Sequence, residues 1–360
     1  MIRAPLLNRR RLGRTLAGAA LAIGGYRPVA ASRAAGRQPT PDVVRAVYLN
    51  PLATSDDEFF SLVQLIDESE LNAMVVDVKE DGVYVPTDVE LFLTADEVNP
   101  DMLDVDGLLA TLHERNIYAI ARIVTFRDSY LAEARPDLAV VDAGTGGPWR
   151  SYDGMAWLNP FEQETWQAYA DFAGELASRG FDEIQWDYVR FPSDGDMAAL
   201  DLGLPTDETL RSDTIAAFLG YTGEALRPTD VKTAADVFGY TLLLDDIGIG
   251  QHIGKLAGVV DYLCPMVYPS HFPEGSIAVP GHPNDFPAET IRISLEAGAV
   301  SVDPARFRPW LQDFSLQGMT PYGEEEVRAQ IDASEAVGTN GWMLWAADSV
   351  FSVSALRPAG

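Results

Sequence analysis

The sequence predicts an α/β protein built as a single (β/α)8 TIM barrel. From residue 44 onward, short runs rich in β-branched and aromatic residues alternate with helical segments, which is the pattern of parallel βαβ units. Eight such runs can be counted, more than an open sheet usually carries and the number that closes a barrel. A chain of 360 residues exceeds the usual size of one domain but suits a barrel, and its 47% apolar content can fill a large core.

The expected strands are Arg45–Asn50, Ala73–Lys79, Tyr118–Val124, Glu183–Val189, Thr233–Gly239, Tyr262–Tyr268, Phe307–Phe314 and Gly341–Ala346. Amphipathic helical segments lie between them at Ser55–Ser69, Val105–Arg115, Glu162–Ser178, Ile247–Ala257, Pro287–Ala297 and Glu324–Ala336. Two connections are longer than a barrel needs, Thr125–Asn159 and Pro269–Pro283. Both follow strands, so both fall at the carboxyl end of the barrel, where barrel enzymes build their sites.

Ahead of this region the composition changes. Residues 1–31 hold six arginines and no acid, an apolar run from Leu16 to Gly25, and Val29-Ala30-Ala31 before Ser32. A basic start, a short apolar stretch and small residues make a secretory signal, and Arg9-Arg10-Arg11 resembles a twin-arginine one. Residues 32–43 read as a Pro/Gly/Arg linker, and residues 44–356 as the barrel domain. No stable membrane anchor is expected once the signal is removed, because the apolar run is half the length of a span.

The net charge of −28 makes nucleic acid and anionic lipid poor partners. The single cysteine, Cys264, allows no internal disulfide and reads as a small core residue. Four scattered histidines, with no His-x-His or His-Glu-x-x-His, give no metal site, and no Walker or dinucleotide loop implies a cofactor. Nothing in the sequence sets the oligomeric state.

The fourth strand carries the strongest chemical pointer. In Glu183-Ile184-Gln185-Trp186-Asp187-Tyr188-Val189-Arg190, alternation puts Glu183, Gln185 and Asp187 inside the barrel, and Ile184, Trp186 and Tyr188 against helices. Asp187 then stands inward near the carboxyl end of its strand, where an uncompensated carboxylate is costly unless it works. The structural alternative is an ion pair with Arg190 or Arg122. On the fifth strand, Asp236 has only apolar neighbours, which raises a carboxyl pKa. Asp236 therefore suits a general acid and Asp187 an ionised nucleophile, the pair that glycosidase chemistry needs.

Other strand ends add Asp77, Lys79 and Asp81 on one expected face, Arg122, and the group Trp310, Gln312 and Asp313. Lys79 reads as a partner for Asp77 or Asp187. Substrate-binding candidates are Asp77, Lys79, Arg122, Arg190, Tyr268, Trp310, Gln312 and Trp345, and Trp149 and Trp345 are the expected platforms for sugar rings.

In order along the chain, GFDEIQWDYVRFP, TAADVFGY, DDIGIGQHI, YLCPMVYPSHF, RPWLQDF and GWMLW resemble a glycoside-hydrolase family of bacterial and archaeal TIM-barrel proteins, over residues 44–350. The resemblance implies a (β/α)8 fold distantly related to α-amylase-like barrels. It places the nucleophile at Asp187, the acid at Asp236 and a third carboxylate at Asp313. The acid is a glutamate in those relatives, and an asparagine is expected where this chain has Ala346-Ala347-Asp348. The expected function is hydrolysis of an extracellular or cell-envelope poly- or oligosaccharide. A barrel that binds saccharide without turnover is the alternative, and a metal-dependent hydrolase using Asp77, Asp187 and Asp236 is a third reading.

Overall fold

The computed structural model describes residues 37–360 apart from 53, 81 and 100–102. The expected signal at 1–31, the first five residues of the linker (32–36), and Asp81 lie outside the described residues. The linker's end is fastened to the barrel: the Gln38 amide donates to Asp182 Oδ1 at 2.7 Å, and its side chain donates to the His113 carbonyl.

All eight expected strands form: β1 (Val44–Leu49), β2 (Ala73–Lys79), β3 (Tyr118–Val124), β4 (Glu183–Asp187), β5 (Lys232–Phe238), β6 (Tyr262–Met266), β7 (Trp310–Gln312) and β8 (Gly341–Trp345). Each runs parallel to its neighbours, and β8 pairs with β1 to close the barrel. Gly341 makes that closure possible. Its φ is +90°, and a Cβ there would lie 1.8 Å from the Val44 carbonyl oxygen, a conformation and an approach open only to glycine. The seventh strand is shorter than expected; at its amino end Pro309 has no N–H to give to the ladder.

Helices cover the outside of the sheet. The helix Asp56–Glu68 starts on a capping box between Ser55 and Glu58. The 19-residue helix Glu208–Leu226, between β4 and β5, has no counterpart among the expected helices. It buries Ser212, Thr214 and Thr222 beside Ile215, Phe218 and Leu219, so no apolar stripe stands out from a polar background. In the reverse case, the segment expected to be helical over Ile247–Ala257 keeps one turn, Ile253–Leu256. Ile247, Gly248 and Gly250 take φ of 47°, 77° and 87°, which no right-handed helix contains.

Inward-facing residues stack in layers along the barrel axis. At the amino end, Arg308 donates to Glu183 at 2.6 Å and the Tyr118 hydroxyl donates to the other Glu183 oxygen at 3.2 Å. Gln185, Asp236 and Trp310 form the next layer, and Asp77, Arg122 and Asp187 lie above it. A barrel interior this polar is tolerated because each charge meets a partner.

Candidate active site

A cleft of about 470 Å³ opens over the carboxyl ends of the strands. Its floor is Arg122, Asp187, Trp310 and Trp345; Tyr188, Arg190 and Phe238 form one wall, and Met266, Tyr268, His271 and Phe272 another. Glu80, just past β2, completes the rim.

Arg122 organises the floor. Its Nη1 donates to Asp77 Oδ1 at 2.5 Å, while Nε and Nη2 both donate to Asp187 Oδ2, at 3.1 and 2.6 Å. The backbone N–H of Tyr188 donates to the other Asp187 oxygen at 2.6 Å. Three donors therefore hold Asp187 in one orientation at the mouth of β4. The ion-pair partner of Asp187 is Arg122; Arg190 makes no ion-pair contact with it.

One guanidinium serves three buried carboxyls. Asp236 Oδ2 lies 3.9 Å from Arg122 Nε, too far for a hydrogen bond, and it has no other partner among the described residues. Asp236 Oδ1 accepts from Gln185 Nε2 at 2.5 Å and from Trp310 Nε1 at 2.8 Å. Burial, then the nearby Asp187, push the Asp236 carboxyl well above its ordinary range. Its two donors mark Oδ1 as the carbonyl-like oxygen and leave Oδ2 to carry the proton. Burial likewise pushes Asp77 up to about 7, against the pull of Arg122. The Tyr48 hydroxyl donates to Asp77, and burial followed by the Asp77 charge keep that phenol protonated. The positive charge among the three aspartates is thus supplied by the chain itself.

Of the expected site residues, Asp187, Arg122, Arg190, Tyr268, Trp310 and Trp345 line the cleft, and Asp77 and Asp236 lie directly beneath its floor. Three expectations are corrected. Lys79 faces away from the cleft: its Nζ sits 2.5 Å from Glu97 and 2.9 Å from Asp128, between the Phe92 and Tyr169 rings. The cause is a register shift at Val78, where Asp77 pairs with Arg122 and Lys79 with Ile123, reversing the alternation. Gln312 is fully buried and holds the loop after β6 by accepting from the Ser270 N–H at 3.0 Å. Asp313 accepts from the Ser352 amide at 2.8 Å and hydroxyl at 2.7 Å, which ties it to the C-terminal segment and turns it from the cleft.

Trp149 is also no platform. It is 1% exposed, its indole N–H donates to the Asp196 carbonyl at 2.9 Å, and it packs on Gly195, where a Cβ would lie 2.4 Å from the ring. Cys264 is fully buried, and burial raises its thiol well above the ordinary value, as a core residue requires.

Several cleft residues are absent from the expected site, Glu80 and Tyr188 foremost among them. Alternation puts Tyr188 against the helices, but its φ of +48° ends the strand and turns the ring into the wall, 5.9 Å from Trp157. Glu80 lies one residue beyond β2, where strand parity no longer applies. Its acidic neighbourhood is the only pointer to it in the sequence.

A closed parallel barrel with a carboxylate-floored, aromatic-walled cleft at its carboxyl end is the form of a glycoside-hydrolase barrel. Residues 46–351 match a family described as "Putative glycosyl hydrolase domain", and the chain belongs to that family. Among solved structures, it is similar to the PgaB (BpsB) glycoside hydrolase domain from Bordetella bronchiseptica, with a TM-score of 0.64 and 15% identity, covering 85% of this chain and 94% of that one. A chitinase from Chromobacterium violaceum gives 0.53 and 12%, covering 87% and 96%. A hypothetical protein from Ruminiclostridium thermocellum is 33% identical over 53% of this chain and 97% of its own, with a TM-score of 0.47. The first two likenesses are likenesses of fold. No curated protein matches the chain.

Proposed function

We propose that the protein is an exported glycoside hydrolase acting on an extracellular or cell-envelope polysaccharide, with Asp187 as the carboxylate that works at the anomeric carbon. The observation that carries this reading is the placement of Asp187: it faces an aromatic-walled cleft and is oriented by Arg122 and the Tyr188 amide. Trp345, Tyr188 and Tyr268 line the cleft and give it aromatic surface against which the C–H groups of sugars can pack.

Hydrolysis needs a second carboxyl group with access to the glycosidic oxygen. Asp236 has the protonation of a general acid, but it is wholly buried beneath Trp310. Glu80 lines the cleft, and its side chain hydrogen-bonds to no described residue. We assign proton donation to Glu80. Asp236 then acts as a neutral support that holds Trp310 and Gln185 in place without adding charge beside Asp187. One strand, β3, separates β2 from β4, and adjacent strands lie roughly 4.8 Å apart, so the two strand ends stand about 10 Å from each other. Because the two strands are not adjacent, their carboxyl groups can stand wide enough apart to admit a water, the arrangement of an inverting reaction. Asp187 would take the proton of that water while Glu80 protonates the leaving oxygen.

Export rests on the signal-like residues 1–31, and we propose residues 44–356 as the hydrolase domain. No helix among the described residues is long and apolar enough to cross a membrane. The test is release of reducing ends from a panel of envelope and extracellular polysaccharides, with the first-formed anomer read by proton NMR. Inverted product is expected. Glycan binding without any release would identify a saccharide-binding barrel instead.

A further inference from the structure

Four basic side chains are buried among the described residues: Lys79, Arg122, Arg190 and Arg308. Three of them meet a carboxylate at close range. Lys79 has Glu97 at 2.5 Å, Arg122 has Asp77 at 2.5 Å and Asp187 at 2.6 Å, and Arg308 has Glu183 at 2.6 Å. Arg190 is the exception. It is 5% exposed, yet no carboxylate of a described residue lies within 4.0 Å of its guanidinium.

Only Nη1 of Arg190 finds acceptors among the described residues, the Phe191 carbonyl at 3.0 Å and the Ser193 hydroxyl at 3.2 Å. A guanidinium carries five N–H donors, so most of its capacity is left over. Three aromatic rings frame the group, with its central carbon 4.7 Å from the Trp157 centroid, 5.2 Å from Tyr188 and 4.4 Å from Phe238. These ring faces offset part of the desolvation and hold the fork in place. They do not neutralise it: burial lowers its pKa to about 10. A buried cation with no carboxylate in contact, only the longer-range pull of Asp187 and Asp194, is costly, and this one lines the cleft three residues from Asp187.

We propose that Arg190 receives an anionic substituent of the substrate, so that the cleft takes an acidic sugar bearing a carboxylate or a sulfate ester. The planar guanidinium suits either group, which it can bind through two parallel hydrogen bonds. The inference deepens the glycosidase reading and rests on the same cleft. The chain's net charge of −28 repels a polyanion at long range. At physiological ionic strength that repulsion is screened beyond about 8 Å, whereas the framed contact at Arg190 is not. Acidic substrate should therefore associate faster as salt rises, the opposite of ordinary electrostatic attraction.

The experiment measures binding by calorimetry on the Asp187→Asn protein, so that turnover plays no part. The probes are glucuronate and galacturonate oligomers, their carboxyl-reduced neutral counterparts, and a sulfated galactan oligomer. The expected result is that at least one acidic oligomer binds about ten- to a hundred-fold more tightly than its neutral counterpart. Arg190→Gln should remove that preference, and Arg190→Lys should keep part of it, because the charge stays and the fork is lost. Tightest binding by the uronate or by the sulfated oligomer identifies the anion. Neutral oligomers binding as well as acidic ones throughout, or a preference untouched by Arg190→Gln, overturns the proposal. If neither Arg190 variant folds, the absence of any acidic preference in the Arg190-containing protein still overturns the proposal. A protein that cleaves only neutral glycans sinks this inference and leaves the glycosidase reading intact. One that binds acidic glycans through Arg190 without cleaving any glycan does the reverse.

Discussion

Replacing Asp77 by asparagine tests the account of three carboxyls sharing one guanidinium. Asp77 is fully buried, accepts from Arg122 Nη1 and the Tyr48 hydroxyl, and is pushed by burial up to about 7. In the unfolded chain an aspartate titrates near 3.9. Between these values the folded protein holds a proton that the unfolded chain has released, so the stability supplied by this group falls as pH rises. The window is about three pH units at about 1.4 kcal/mol each, or about 4 kcal/mol in all. The asparagine of the Asp77→Asn protein cannot ionise and mimics the protonated acid. The two proteins should be similarly stable near pH 4, and the variant should gain up to about 4 kcal/mol on the parent by pH 8. Urea unfolding at intervals from pH 4 to 8 measures this directly, because the difference between the proteins cancels the other titrating groups. Parallel stability curves across the range would refute the reasoning.

Further outcomes follow from the same contacts. Lys79→Met removes the cation between Glu97 and Asp128 and should cost about 3–5 kcal/mol in stability, while the folded fraction keeps its KM because Lys79 does not touch the cleft. Glu80→Gln should lower kcat by about 10²–10⁴-fold with little change in KM, as loss of proton donation does; a change confined to KM would make Glu80 a binding group. Trp345→Ala should raise KM several-fold by removing a sugar platform. Trp149→Phe should cost about 1 kcal/mol of stability through the lost bond to the Asp196 carbonyl and leave KM alone.

Much of the fold was legible in the sequence, because each strand carries its own β-branched or aromatic run. What was lost depended on local departures from a period. The shift at Val78 turned Lys79 outward although alternation put it with Asp77. The helix Glu208–Leu226 hid behind its buried serine and threonines. At the site, Asp187, Asp236 and Arg122 were readable because they lie inside strands, where parity sets direction. Residues just past a strand end follow the loop instead. Glu80 and Tyr188 turn into the cleft, and Asp313 turns out of it toward Ser352. The pairing of Asp187 with Arg122 rather than Arg190 depends on β3 lying beside β4, a neighbour relation that spacing along one strand does not contain.

The central claim is that Asp187 performs chemistry and is not merely half of an ion pair. Asp187→Asn keeps the shape of the side chain and an oxygen to accept from Arg122. Its rate of reducing-end release should be measured beside the parent on the polysaccharide the parent cleaves best, with folding checked by circular dichroism. The account predicts a folded protein whose kcat falls by at least about a thousand-fold, since one carboxylate of an essential pair is gone. A folded Asp187→Asn protein that releases sugar at the parent's rate would contradict it.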